Sequence, residues 1–262
     1  MNGATELEHR YGPRVHVLDN AVLLTALARL GSPAVRRTEL LAQLRLVYTG
    51  LLLHALGAEL PRVHDAVPTR MAAKLPQAGV YRGPVVEPGQ EVVVVDVIRA
   101  GIVPSEVCFD LLTQVLPDDR VRQDHLHLSR VADAAGHVAG VDLSGSKIGG
   151  SVEGALLVLP DPMGATGSTT LRVLEHYRER YGRPARVLCA PMIATPEYLR
   201  AVLAADPELV VYTARLDRGL SPPDVLAAVP GLHWDRERGL DDSGYIVPGA
   251  GGVGEVVNNA WC

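Results

Sequence analysis

The 262 residues carry 47% hydrophobic and 21% charged side chains, the balance of a folded globular chain with room for one large α/β domain or two small ones. A formal net charge of −5 gives neither nucleic acid nor an anionic membrane a reason to bind. Three widely spaced cysteines (Cys108, Cys189, Cys262), a charged opening unlike a signal peptide and no run of about 18 apolar residues exclude a disulfide framework, a close-paired metal set and a membrane span, so the cytoplasm is the expected compartment.

In chain order, two helical patterns come first. DNAVLLTALARLG offers Asp19 as N-cap and Gly31 as stop, and RTELLAQLRLVYTGLLLHALG runs on to Gly57 with apolar residues at helical spacing. Pro61 to Gly89, punctuated by Pro and Gly, is expected to be irregular or short-stranded. EVVVVDVI (residues 91–98) is a β-branched run of the kind buried on both faces of a sheet. PSEVCFDLLTQVL reads as a helix with Pro104 at its first position. Alternation over Val121 to Leu128 predicts a strand, followed by a Gly/Ser-rich hairpin or mobile loop. Then ALLVLP, ARVLCAPM and ELVVYTARL are strands, separated by the helices STTLRVLEHYRERYG and PEYLRAVLAAD. This rhythm predicts an α/β fold, a parallel sheet flanked by helices. The tail packs five glycines into the twelve residues from Gly244 to Glu255, which argues against a packed helix and for close approach of backbone to a ligand.

In an open parallel sheet, ligands bind beyond the carboxyl ends of the strands. Asp161, Pro162, Met163, Gly164, Ala165, Thr166, Gly167, Ser168 and Thr169 lie at such an end and precede a helix, whose free N–H groups favour an anion. The glycines let successive N–H groups converge on phosphate oxygens, and three hydroxyls add donors. The spacing matches neither a P-loop nor the dinucleotide fingerprint. A plain βα turn capped by Ser168 is the alternative reading. Arg99, before Ala100 and Gly101, suits bidentate pairing with phosphate, or else a surface ion pair at a strand end. His125 and His127 share a strand face; without further ligands nearby they read as a packed or exposed pair, not a metal site.

VLPDPMGATGST resembles the phosphoribosyl pyrophosphate (PRPP) loop of the type I phosphoribosyltransferases, and its Asp-Pro-Met is similar to the uracil phosphoribosyltransferases. VIRAGIV, APMIATPEYLRAV and SGYIVPGAGGVGE resemble that family's pyrophosphate loop, its V-A-A-P-E-G segment and its base-binding tail, in the same order. Lys147, one of two lysines, stands fourteen residues before Asp161, as does the lysine of the family's mobile arm.

The resemblance implies a type I phosphoribosyltransferase fold with a small hood formed by the C-terminal tail and a hairpin arm. It implies one domain over 1–262, with N-terminal helices at 19–57, a core at 91–216, an insertion at 221–242 and a base-binding tail at 243–255. Asp161 would hold the ribose hydroxyls and Met163 to Thr169 the 5′-phosphate. Arg99, Ala100 and Gly101 would hold the diphosphate, with Arg130 and Lys147 as looser matches. Tyr245, Ile246, Gly251, Gly252 and Val253 would line the base pocket. The implied reaction transfers ribose 5-phosphate from PRPP to a ring nitrogen of a pyrimidine-like base, with Mg2+ arriving on the diphosphate and no nucleophilic side chain. A homodimer or higher homo-oligomer is expected. Gly252 replaces a family aspartate and Glu255 the final one, beside the insertion, so the base is uracil or another heterocycle; a non-catalytic nucleotide-sensing regulator is the alternative.

Overall fold

The computed structural model describes residues 6–132 and 138–260. A short strand β1 (Val15–Val17) leads into helices α1 (Ala21–Leu30) and α2 (Arg37–Glu59), then the strand pair β2 (Arg62–Pro68) and β3 (Val80–Val86). The central part runs β4 (Val92–Ile98), α3 (Ile102–Thr113), β5 (Val121–Ala132), β6 (Val138–Lys147), β7 (Leu156–Leu159), β8 (Met163–Gly164) and α4 (Ser168–Arg180). It continues through β9 (Arg186–Cys189), β10 (Ile193–Ala194), α5 (Pro196–Ala205), β11 (Leu209–Thr213) and β12 (Arg215–Leu216), and the chain closes with the short helices α6 (Pro223–Ala227) and α7 (Val253–Asn258).

Seven strands form one sheet in the order β1-β11-β9-β7-β4-β5-β6, parallel throughout except for the antiparallel β5–β6 hairpin. Beyond the carboxyl ends of β7, β9 and β11, the stubs β8, β10 and β12 continue as a second parallel ladder. Alternation explains the β-branched runs. Val92, Val94, Leu156 and Val158 bury into one apolar layer with α2 and α3, while Val93, Val95, Leu157 and Val187 bury into the layer with α4 and α5.

Leu40, Leu44, Val47, Tyr48, Leu51, Leu52 and Ala55 form the buried stripe of α2. Each fully buried leucine there contributes about 1.5–3 kcal/mol. By length and composition alone α2 is apolar enough to cross a membrane, with a mean hydropathy of 1.3 over its best window, although no unbroken apolar run is present. The stripe packs into the sheet's core.

Several local expectations are corrected. Asn20, not Asp19, caps α1: its side-chain oxygen accepts from the N–H groups of Val22 at 3.0 Å and Leu23 at 3.2 Å. Pro104 is the third residue of α3, still within the turn where a missing N–H costs nothing. Residues 61–89 are more regular than expected, with β2 and β3 paired antiparallel over seven residues each. The glycine-rich tail ends in a helix after all, because α7 buries Val253 and Val257 and so gains packing that glycine content alone hides.

Candidate functional site

β4 and β7 are parallel neighbours, so their carboxyl ends lie side by side, and the segments that follow them share one end of the sheet. After β4, the Arg99–Gly101 turn leads into α3; after β7, residues 161–167 lead into α4. The second segment is held from beneath. A Cβ on Gly164 would stand 3.0 Å from the Pro191 ring and 3.1 Å from the Tyr198 ring. Gly167, the helix cap, has φ +85°, which an L side chain rarely adopts. Ser168 is the first residue of α4, not its cap; its N–H donates to the Thr166 hydroxyl at 3.3 Å. The first backbone bond of α4 runs from the N–H of Leu171 to the carbonyl of Gly167 at 2.9 Å, so the Thr169 and Thr170 N–H groups have no acceptor within the helix.

Asp161 is half-buried at the start of this segment. Its charge reaches the aromatic floor around it. Burial first, then the Asp161 carboxylate, pushes the phenol of Tyr48 well above its ordinary range; that of Tyr198 is pushed up by burial and then by Cys189, with Asp161 adding least. The Cys189 thiol is pushed up to about 12, again chiefly by burial. Neither buried cysteine, Cys108 nor Cys189, is a reactive thiolate.

The Arg99–Gly101 turn has no room for a larger residue at its end. A Cβ on Gly101 would stand 2.8 Å from both the N and the O of Val97. Over this turn lies the tail. Arg99 Nη1 donates to the Ala260 carbonyl at 3.2 Å, Asn258 Nδ2 donates to the Arg99 carbonyl at 3.3 Å, and a Cβ on Gly254 would sit 3.2 Å from that of Ala100. The turn expected to hold the diphosphate is therefore covered by the helix that closes the tail.

The tail is shaped by backbone. Gly249 and Gly251 adopt φ of +62° and +67°, and a Cβ on Gly249 would stand 2.2 Å from the Ile246 carbonyl oxygen. Ile246 and Val253 are buried, Gly252 is half-buried and Tyr245 is exposed. The Glu255 carboxylate folds back over Gly252, with Oε2 1.7 Å from where a Cβ there would stand. A side chain at 252 would have to push aside that carboxylate, the far end of a flexible side chain.

One anchor for the tail and one for the segment just before it escaped the sequence reading. Buried Asp217 accepts from Arg215 Nε at 2.6 Å and Nη2 at 2.7 Å, and from the Gly249 N–H at 2.8 Å; Arg215 Nη2 also donates to the Gly249 carbonyl at 2.9 Å. Glu197 at the start of α5 accepts from the Gly239 N–H at 3.0 Å. The signal was present as an Arg-x-Asp directly after a buried strand, where a charge must find a partner. The segment at 221–242 is tied down as well. Arg218 Nη1 donates to fully buried Glu237 at 2.9 Å, and Glu237 accepts from the Tyr11 hydroxyl.

Lys147 ends β6, opposite His125 on β5, and is exposed. The side chain of Arg130 lies outside the described residues; its backbone pairs with Val141 in the hairpin. His125 Nδ1 lies 2.8 Å from Oδ2 of buried Asp96, a partner the sequence reading missed, and His127 Nδ1 is hydrogen-bonded to the Ser144 hydroxyl. Among the described residues, no three His, Cys, Asp or Glu side chains converge as metal ligands would.

With this geometry in place, the comparisons are specific. The family model described as uracil phosphoribosyltransferase matches residues 17–233. A uracil phosphoribosyltransferase of Pyrococcus furiosus is 27% identical over 202 residues, covering 76% of this chain and 72% of the relative. One of Thermococcus gammatolerans is 26% identical over the same length, covering 76% and 75%. A solved structure of a protein from Aquifex aeolicus superposes with a TM-score of 0.69 at 21% identity, covering 93% of this chain and 97% of that one.

Proposed function

Because the chain belongs to the uracil phosphoribosyltransferase family and is a transferase of phosphoribosyl groups, we propose that it moves ribose 5-phosphate from PRPP onto a ring nitrogen of uracil or a closely related heterocycle, releasing pyrophosphate. The observation that carries this reading is the meeting of three segments: the Asp161–Thr169 loop, the Arg99–Gly101 turn beside it, and the tail docked on that turn.

On this reading the 5′-phosphate sits at the start of α4, where free N–H groups and the Thr166, Ser168 and Thr169 hydroxyls offer donors and the helix end favours an anion. The Asp161 carboxylate, unsuited to phosphate, takes the ribose hydroxyls. The guanidinium of Arg99 and the turn after it face the diphosphate, and Mg2+, a hard cation that keeps most of its waters, arrives on that group's oxygens. The bond from the anomeric carbon to the diphosphate oxygen breaks, and its electron pair leaves with pyrophosphate. The ring nitrogen supplies the pair for the new C–N bond and loses its proton to the departing pyrophosphate. The protein orients the partners, stabilises the leaving charge and keeps water out.

Uracil would be held by main-chain groups of residues 246–253, whose turn is set by Asp217 and Arg215. The Glu255 carboxylate over Gly252 favours a second reading, a related heterocycle with a differently placed N–H. Incubating the chain with PRPP, Mg2+ and a panel of bases, and following pyrophosphate release, tests both. Release with uracil supports the first, release with another base alone supports the second, and no release with any base refutes the transferase reading.

A further inference from the structure

Asp96 is the one charged residue in the buried run of β4, 3% exposed, and a carboxylate there requires a partner. That partner is His125 on the neighbouring strand, held through Nδ1 at 2.8 Å. The ladder aligns Asp96 with His125 and His125 with Lys147, so carboxylate, imidazole and ammonium stand in one row on one face of three adjacent strands. That face is the α3 side, because Asp96 alternates with Val92 and Val94, which pack there. The second oxygen of Asp96 lies 3.3 Å from where a Cβ of Gly101 would stand, against the Arg99–Gly101 turn, and the Ser105 hydroxyl on α3 helps to offset the burial of the carboxylate. The imidazole is 46% exposed, and with Nδ1 engaged its Nε2 is the polar atom left for a ligand.

We propose that His125, oriented by Asp96 and flanked by Lys147, is a binding residue for the diphosphate of the substrate, its protonated ring donating Nε2–H to a diphosphate oxygen beside the Arg99–Gly101 turn. Asp96 is the positioning residue: the second-row carboxylate fixes the ring, as carboxylates do behind histidines that must present one nitrogen. The charged and titratable groups around the ring are Asp96 from β4, Lys147 from β6 and His127 two residues along its own strand. From α3 comes the neutral Ser105, whose hydroxyl accepts from Gln123 at 3.0 Å. The assignment rests on the phosphoribosyl-transfer reading and extends the diphosphate contacts from one strand to the next two.

Magnesium pyrophosphate alone, titrated calorimetrically into the full chain, reads this site without any base. His125→Asn should weaken binding by about tenfold to a hundredfold, the range of a lost hydrogen bond to a charged group. Asp96→Asn should raise KM for PRPP while leaving KM for the base unchanged. Melting temperatures establish that both variants are folded, and half-exposed His125 is the safer substitution. Binding by His125→Asn within twofold of wild type overturns the proposal, as does a wild type that binds no magnesium pyrophosphate. Loss of binding in His125→Asn from a wild type that turns over no base would retain the assignment and remove the transfer reading; equal binding with turnover intact would do the reverse.

Discussion

Replacing Asp217 with asparagine separates a merely stabilising ion pair from one that shapes the acceptor site. The carboxylate is 3% exposed and receives three hydrogen bonds, two from Arg215 and one from the Gly249 N–H. Asparagine keeps the volume but removes the charge and one acceptor, and it turns an N–H2 group toward a donor. Arg215 is left with its side chain only 20% exposed, no opposite charge, and at most the amide oxygen and the Gly249 carbonyl as acceptors. Breaking a buried pair by removing one partner costs about 3–5 kcal/mol. The surviving Gly249 bond places this case near the lower end, about 3 kcal/mol. For a chain of this size about 1 kcal/mol moves the melting temperature by about 2–4 °C, so Asp217→Asn should melt about 6–12 °C below wild type.

The second half of that prediction concerns function. The Gly249 turn carries the residues from Ile246 to Val253, whereas Asp161 and Arg99 sit on other segments. Steady-state kinetics of Asp217→Asn should therefore show KM for the base raised at least about fivefold, with KM for PRPP within about twofold, since one or two misplaced hydrogen bonds cost about 1–3 kcal/mol. Thermal melts and initial rates of pyrophosphate release measure both. An unchanged melting temperature would refute the energetic argument. A melting temperature that falls while the two KM values rise together would refute the assignment of the turn to the base alone.

Further outcomes follow from other contacts. Asp161→Ala should remove most PRPP use with the melting temperature within a few degrees of wild type; wild-type kinetics would remove Asp161 from the site. Gly101→Ala should destabilise the chain by about 1–3 kcal/mol, because the new Cβ meets Val97 backbone at 2.8 Å and not a flexible side chain. Gly252→Asp should place a second carboxylate where the Glu255 carboxylate already lies and so weaken base binding, and Gly252→Asp with Glu255→Ala should recover it; improvement by the single change would refute the crowding. Glu6 is raised by burial, but hydrogen bonds from His54 at 2.9 Å and His16 at 3.0 Å outweigh that and hold its carboxyl below the ordinary value. Its contribution is present above the unfolded carboxyl pKa and lost as pH falls through the folded one, so thermal melts below about pH 4.5 should narrow the gap between wild type and Glu6→Gln.

What the amino-acid order displayed well was contiguous. The run VVVVDVI is buried on both faces because alternate residues meet different helical layers, and the segment from Asp161 to Thr169 is a strand end, a turn and a helix start within nine residues. Caps one residue apart were harder. Asp19 and Asn20 are both good caps by chemistry, and the choice falls to Asn20 only because the chain enters α1 there in extended conformation. The Pro61–Gly89 pairing was hidden because neither β2, almost wholly exposed, nor β3, half-buried at irregular positions, buries a residue, so neither carries an alternation of apolar and polar residues to read.

The acceptor side was the least legible part of the site, and the reason lies in how it is built. Its turn is made by glycines whose identities say only that backbone comes close, while its position is fixed by Asp217, Arg215 and Glu197, which are remote in sequence from the tail. The same holds for Asp96 and His125, which are 29 residues apart and meet because two parallel strands adopt one register out of several. Each of these pairs nevertheless leaves a trace, a charged residue inside or directly after a run that must be buried. A carboxylate at such a place cannot stay unpaired, so its partner must come from whatever strand or turn the fold lays beside it. In this chain the partners are the His125 imidazole on the next strand, and Arg215 with the backbone of Gly249. If the proposed transfer reading holds, these ion pairs at the sheet ends set both halves of the site, and substitutions at Asp96 and Asp217 should move opposite substrates: the first PRPP, the second the base.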